Sequence, residues 1–522
     1  MAPLAVHIKH AGKVHDLTLD TDRPGLVFKE DIYQTTGVPV DRMKVMVKGG
    51  MLKGQTFMVI GAAGELPKPP PEPTVFLEDL DDFQLAQALS LPIGLKNLGN
   101  TCYMNATVQA MRAIPELQTA LNSTQPAQPL PRSLRDLYTE MSTTTDDVVP
   151  ISFLTILREV VPQFAERSNN KLGGFDLSGY AQQDAEECWS QITNALKSVP
   201  GLPGPSGSAP TQSFVEQYMT GIMRRELKCI ETEDEPTTTS TQKVLKVDCN
   251  ITSKTNYMLA GIIDSLDEEI NKRSPSLGRD AMYKAHSRLE RLPSYLAVHM
   301  VRFAWKQNIG KKAKIMRQVK FPTELDALDL TTDDLRAKLT PVNRRLKEIE
   351  KERNERRKVR KRTKVVIAAA KDKEGDVEMG DAPEAAKVEG GELKPEEVYR
   401  DGELKELEAL IDPSIKEDVG SSLAGLYDLV AIITHKGAAA DAGHYIGFVK
   451  RSVFHSAASL SSAASSSSAP STQGKFDNGD EDWYKFDDEK VSIFTADKLA
   501  TLAGGGEDSS AYVLLYKSKS LA

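Results

Sequence analysis

The sequence predicts an α+β chain in two folded parts: a small β-grasp domain at the N-terminus and a much larger mixed domain behind it. Three observations lead there. The first sixty residues give a hairpin, a helix and two further short strands, in that order. A proline-rich acidic stretch, ELPKPPPEPTVFLEDLDD, then interrupts them. From about residue 82 the composition becomes globular again, over most of a 522-residue chain. At ~150 residues per domain, that length holds about three or four domain-sized units.

Composition narrows the function. Hydrophobic residues are 40% and charged residues 27%, which suits a soluble globular protein with some solvated stretches. Sixty-six basic against 74 acidic residues leave a net charge of −8, which argues against a broad nucleic-acid surface. Four cysteines are too few for a disulfide framework and fit a reducing compartment, where each is a packed group, a metal ligand or a nucleophile. MAPLAVHIKHAGKVHD has no apolar h-region, and no apolar run nears the ~20 residues of a membrane helix. A secreted or membrane-bound protein is not expected.

In the first domain, expected at residues 1–62, Leu4, Val6 and Ile8 alternate, then Val14, Leu17 and Leu19, around His10-Ala11-Gly12-Lys13. Val27, Phe28, Ile32 and Tyr33 have helical spacing, with Gly37 where the helix should stop. KVMVKGG and TFMVIGA supply the remaining strands. This order suits a β-grasp, ubiquitin-like fold, with any small α+β domain as the alternative.

The linker spans 63–84 and the larger domain 85–519. Two stretches interrupt the latter. Residues 335–410 open with a basic helix-like segment, RRLKEIEKERNERRKVRKRTK, and turn acidic. Blocks of like charge without apolar periodicity are expected to be a solvated insertion. Residues 452–480 include SAASLSSAASSSSAPSTQG, a low-complexity loop.

The chemistry gathers around GLKNLGNTCYMNATVQAM. A turn-rich approach precedes a helix that buries Val108, Met111 and Ile114, so Cys102 falls at a helix N-terminus. There the macrodipole and unpaired N–H groups favour a thiolate and can hold a developing oxyanion, with Asn97 as a further amide donor. By itself, a cysteine in this position is more often structural. A cysteine nucleophile needs an imidazole. Of eight histidines, His435 and His444 lie in YDLVAIITHKGAAADAGHYIGFVKR, two buried-type strands around a small loop. Gly443 permits close approach before His444, whose strand would hold its ring. His435 is better read as a packed core residue. An orienting carboxylate comes from WYKFDDEKVSIF, where Asp487 ends an alternating strand and Asp488 points the other way, unless the two form a turn.

Together, GLKNLGNTCYMNA, the His444 hairpin and WYKFDDEKVS resemble the cysteine and histidine boxes of the ubiquitin-specific proteases. These are papain-like thiol hydrolases, built as thumb, palm and fingers, that cleave after ubiquitin's C-terminal glycine. The resemblance makes Cys102 the nucleophile, His444 the general base and Asp487 its orienting carboxylate. It places Asn97 at the oxyanion position and Asp488 as an auxiliary polar residue. It implies no cofactor.

GYAQQDAEECWSQI reads as a helix from Gln182 with Trp189, Ile192 and Leu196 inward. In the family this motif borders the channel for ubiquitin's arginine-bearing tail, so the resemblance assigns Gln183, Asp184 and Glu187 to substrate binding. Many members hold zinc with two Cys-x-x-Cys pairs; here only Cys229 and Cys249 occupy that stretch, so no metal is expected. Cys188 reads as core. With LPSYLAVHMVRFAWK and SSAYVLLYK, the resemblance extends to members whose ubiquitin-like domain docks on the 26S proteasome regulatory particle. It implies ubiquitin conjugates as substrate and the cytoplasm and nucleus as location. KQNIGKKAK and HKGAAADAG become candidate covers of the tail channel. The ubiquitin-like domain is short between Leu52 and Thr56. A non-catalytic proteasome-binding regulator that holds ubiquitin is the rival reading.

Overall fold

A computed structural model describes residues 4–47, 55–61, 92–167, 171–172, 175–176, 179–204, 212–306, 311–371, 396–439, 442–454 and 481–521. The chain forms two compact units, residues 1–80 and 81–522. The linker, the short connection after Leu52 and the serine-rich loop from His455 lie outside the described residues.

In the first unit, strands β1 (Leu4–His10) and β2 (Lys13–Leu19) pair through a tight turn. Ala11 and Gly12 both have positive φ, 48° and 82°, the turn whose twist matches paired strands. Helix α1 (Gly25–Thr36) ends at left-handed Gly37, whose N–H donates to the Tyr33 carbonyl at 2.8 Å. Strands β3 (Lys44–Met46) and β4 (Thr56–Ile60) complete a sheet of order β2-β1-β4-β3, with β1 and β4 parallel. That is the expected β-grasp arrangement. Its core is Val6, Ile8, Ile32, Val38, Met43, Phe57 and Val59. Val14 is a correction: it is 59% exposed, because Leu17 and Leu19 share one face of the strand and Val14 has the opposite parity.

The second unit is built on a sheet whose seven main strands run Lys490–Phe494, Trp483–Asp487, Ala442–Lys450, Leu426–Ala439, Ser510–Ser518, Tyr295–Val301 and Val247–Asn250. A separate four-stranded sheet carries Asp267–Arg273, Asp280–Arg291, Gly221–Cys229 and Thr238–Val244. These are the palm and the fingers. The thumb is helical, and the helix Cys102–Met111 at its centre has all ten residues buried. It lies against the strand Ala442–Lys450, where Gly447 lets the two backbones approach. Thumb and palm thus press the cysteine and histidine segments together.

The charged stretch differs from the sequence expectation. Residues Asp333–Lys371 form one helix and Glu396–Leu410 a second that packs on it. Leu339, Val342, Leu346 and Ile349 are completely buried, at the i, i+3, i+7, i+10 spacing of a helix stripe. Val342, Leu346 and Ile349 join Leu407, Leu426 and Leu521 in one cluster. Charges flank the stripe. Arg353 and Arg356 bond Glu403 at 2.7 and 2.6 Å, and Glu350 holds Lys519 at 2.6 Å. The stripe was hidden in sequence because polar and charged residues, with Pro341, fill the positions between its members and a long charged run follows it. The acidic half, 372–395, lies outside the described residues.

Candidate active site

Cys102 begins its helix and is 2% exposed. Two donors converge on its sulfur: the Gln182 side-chain amide at 3.2 Å and the Tyr445 backbone N–H at 3.4 Å. With the free N–H groups of the helix end, these are the donors a sulfur anion requires. His444 Nε2 is 2.6 Å from Asp487 Oδ1, which leaves Nδ1 as the nitrogen for the sulfur. Its pKa is pushed up to about 9, first by the hydrogen bond with Cys102, against burial, and then by Asp487. Imidazolium is therefore the neutral-pH form. Burial pulls Asp487 upward, but hydrogen bonds from His444 and Lys485 prevail and hold it below the ordinary carboxylate value.

The three residues come from the thumb helix and two neighbouring palm strands. Gly443, at φ 146°, lies so close to the His435 ring that a Cβ there would stand 2.5 Å from Nε2. His435 is the core residue expected: fully buried, edge-on to Phe303 and Tyr445, with its pKa lowered to about 4 by burial and by the charges of Lys314 and His444.

Asp487 and Asp488 are both strand end and turn. Asp487 closes its strand, and Asp488, at φ 53°, turns the chain. Asp488 then reaches back to the cysteine loop. Its two oxygens accept from Asn97 Nδ2 and Asn105 Nδ2, both at 2.8 Å, and its carbonyl accepts from the Leu95 N–H at 3.1 Å. Asn97 Oδ1 accepts from the N–H groups of Gly99 and Thr101, which fixes the turn before Cys102. The auxiliary residue of the sequence reading is thus the tie between the two halves of the site.

The helix after GYAQQ starts at Ala185 rather than Gln182. Asp184 caps it: Oδ1 accepts from the Glu186 N–H at 2.8 Å, and Oδ2 from the Tyr512 hydroxyl at 2.6 Å. Glu187 accepts from Gln191 at 2.7 Å, and Gln183 is half-buried. Trp189, Ile192 and Leu196 are buried as expected.

Sequence reasoning missed Gln182, Asn105 and the Tyr445 N–H. Asn105 carried a signal, since it and Gln109 are polar positions four apart in a helix with no charge to mark a solvent face. Gln182 lay hidden because reading the helix three residues early made it an ordinary first-turn residue.

In the stretch where many family members hold zinc, the two single cysteines stand in different parts of the fold. Cys229 lies in the fingers beside Ala281 and Tyr283, whereas Cys249 lies in the palm with its thiol on the Met258 carbonyl. Burial pushes the Cys249 thiol up to about 12 and Cys188 higher still. Among the described residues, no three His, Cys, Asp or Glu side chains are grouped to hold a metal ion. The fingertip is tied instead by Glu235, which accepts from Ser274, Ser276 and, at 2.5 Å, the Tyr283 hydroxyl.

A thiol on a helix end, an imidazole and an orienting carboxylate, set between helical thumb and palm sheet, define a cysteine hydrolase of papain-like design. The family model described as ubiquitin carboxyl-terminal hydrolase matches residues 93–516. Over their full lengths, this chain and ubiquitin carboxyl-terminal hydrolase 6 of Schizosaccharomyces pombe are 38% identical. Ubiquitin carboxyl-terminal hydrolase 7 of Arabidopsis thaliana is 34% identical, over 99% of each chain. Ubiquitin carboxyl-terminal hydrolase 14 of Caenorhabditis elegans is 28% identical, over 98% of this chain and 93% of its own. The chain belongs to the ubiquitin carboxyl-terminal hydrolase family, as a cysteine-type deubiquitinase of the ubiquitin-specific protease group.

Proposed function

We propose that this protein removes ubiquitin from proteasome-bound conjugates by acyl-enzyme catalysis at Cys102. The observation that carries the reading is the 2.6 Å bond between His444 and Asp487, beside a buried sulfur already met by two N–H donors. The thiolate attacks the carbonyl of ubiquitin's last glycine. His444, protonated at the start, passes its proton to the departing amine. As a neutral base it then takes a proton from the water that hydrolyses the thioester. The second N–H of the Asn97 amide, with the helix-end N–H groups, meets the oxyanion. Gln183, Asp184 and Glu187 border the tail channel, and their carboxylates suit the tail's arginines. In the cytoplasm and nucleus, the N-terminal unit docks on the proteasome regulatory particle, and its tether raises the local concentration of the catalytic unit.

Deleting residues 1–62 tests the docking half. The expected result is loss of co-sedimentation with proteasomes while a fluorogenic ubiquitin substrate is still hydrolysed. Retained proteasome binding would contradict it.

A further inference from the structure

Beyond the sulfur, the segment before the helix cap carries side chains past the residues assigned above. Tyr180 forms an isolated extended bridge with Arg167, and Asp184 has extended dihedrals. In extended chain, residues two apart share a face and stand about 6.5 Å apart, so an extended run between these two points sets Asp184, Gln182 and Tyr180 on one face in that order. Asp184 meets Tyr512, Gln182 meets the Cys102 sulfur, and the Tyr180 carbonyl accepts from Asn100 Nδ2 at 3.0 Å. On the facing cysteine loop, Asn100 stands two residues before Cys102. If the ubiquitin tail enters past Asp184 and ends at the sulfur, as proposed above, then Asn100 and Tyr180 stand on the far side of the scissile bond.

That far side is cationic. Arg158 Cζ lies 3.5 Å from the Tyr180 ring centroid and Arg167 Cζ 5.8 Å from it. Arg158 Nε is anchored on the Phe164 carbonyl at 3.2 Å. Tyr180 is 37% exposed and Arg167 is exposed. Among the described residues, neither arginine forms an ion pair, even with the exposed Glu159 and Glu166 beside them in sequence.

We infer that Tyr180, Arg158 and Arg167 form a leaving-group subsite that selects acceptor lysines flanked by acidic residues. It rests on the tail direction of the proposed function. Tyr180 and Arg158 make a cation–aromatic platform, and Arg167 supplies the exposed charge.

The test uses the full-length protein and ubiquitin isopeptide-linked to the lysine of two peptides, one with aspartates and one with arginines on both sides. The wild type should cleave the acidic peptide with the higher kcat/KM, by roughly two- to fivefold per ion pair, the strength of exposed pairs. The ratio should shrink in high salt. Arg167→Glu should invert the ratio and Arg167→Lys should keep its sign. Because the readout is a ratio within each variant, a general loss of activity does not imitate it. Equal wild-type rates on both peptides, or a ratio unmoved by Arg167→Glu, would overturn the subsite alone. Cleavage of neither by the wild type would overturn the catalytic reading and this one with it.

Discussion

Asn97 and Asp488, 391 residues apart in sequence, are joined by a 2.8 Å hydrogen bond between the asparagine amide and the aspartate carboxylate. The same carboxylate takes Asn105 from the helix that Cys102 begins. Asp488 thus fixes the cysteine loop from one side while its neighbour Asp487 fixes His444. Gly94 allows this, because a Cβ there would lie 2.6 Å or less from backbone atoms of Glu489.

An Asp488→Asn variant keeps a residue that tolerates positive φ but replaces one acceptor oxygen with a donor. One of the two amide bonds, to Asn97 or to Asn105, is lost, and the tie that positions the cysteine loop is weakened. The expected result is a fall in kcat of roughly 10²-fold, on the scale of losing one oxyanion donor, with little change in KM. Steady-state hydrolysis of a fluorogenic ubiquitin substrate measures both.

The pH profile follows from His444, whose pKa is raised to about 9 by Cys102 and Asp487. Expelling an amine needs the imidazolium, so cleavage of isopeptide bonds should fall as pH rises through about 9. Asp487→Asn removes one of the raising partners and should move that alkaline limb to lower pH. The sign for stability is the same: a raised imidazole pKa stabilises the fold fully below its ordinary value near 6.5, and the gain is lost as pH climbs through about 9. Rate–pH profiles of wild type and variant, with melting curves at each pH, check both statements.

Much of this site was legible before any coordinates. The helix start marked Cys102, and the paired apolar strands around a glycine-bearing loop marked His444 over His435. Local order sufficed because each feature is written in consecutive residues. Gln182 was not legible, and Asn105 showed only as a polar position without a role, since their importance comes from contacts 80 and 383 residues away. Asp184 was visible as a carboxylate, but its cap on Glu186 and its bond to Tyr512 depend on where the helix starts. The insertion was misread for another reason: charge density masked an apolar stripe that finds its partner only in Leu426 and Leu521.

That stripe carries its own prediction. A solvated insertion could be removed without cost; with Leu346 and Ile349 fully buried, removal of 343–400 should instead destabilise the catalytic unit. Leu346→Ala should cost about 2–5 kcal/mol, the usual range for a buried leucine, and Ile349→Ala a similar amount. Thermal melting of the full-length variants, with Arg357→Ala as a surface control near zero, would reveal whether the helix is part of the core.

Gly443 has φ 146°, and a Cβ on it would collide with the Lys436 carbonyl and the His435 ring. Gly443→Ala should therefore shift the backbone of His444 and separate its ring from Cys102. A fall in kcat/KM of roughly 10²-fold or more, the scale of a 1 Å misplacement at a reacting centre, is expected, with the melting temperature lowered less than for Leu346→Ala.

The most direct test of the central claim is covalent labelling by ubiquitin carrying a C-terminal electrophile, read by mass spectrometry. The wild type should gain one ubiquitin on the peptide that contains Cys102, and Cys102→Ala should gain none although it still binds ubiquitin. Absence of labelling in the wild type, with ubiquitin binding intact, would contradict the assignment of Cys102 as the nucleophile and favour a ubiquitin-holding regulator.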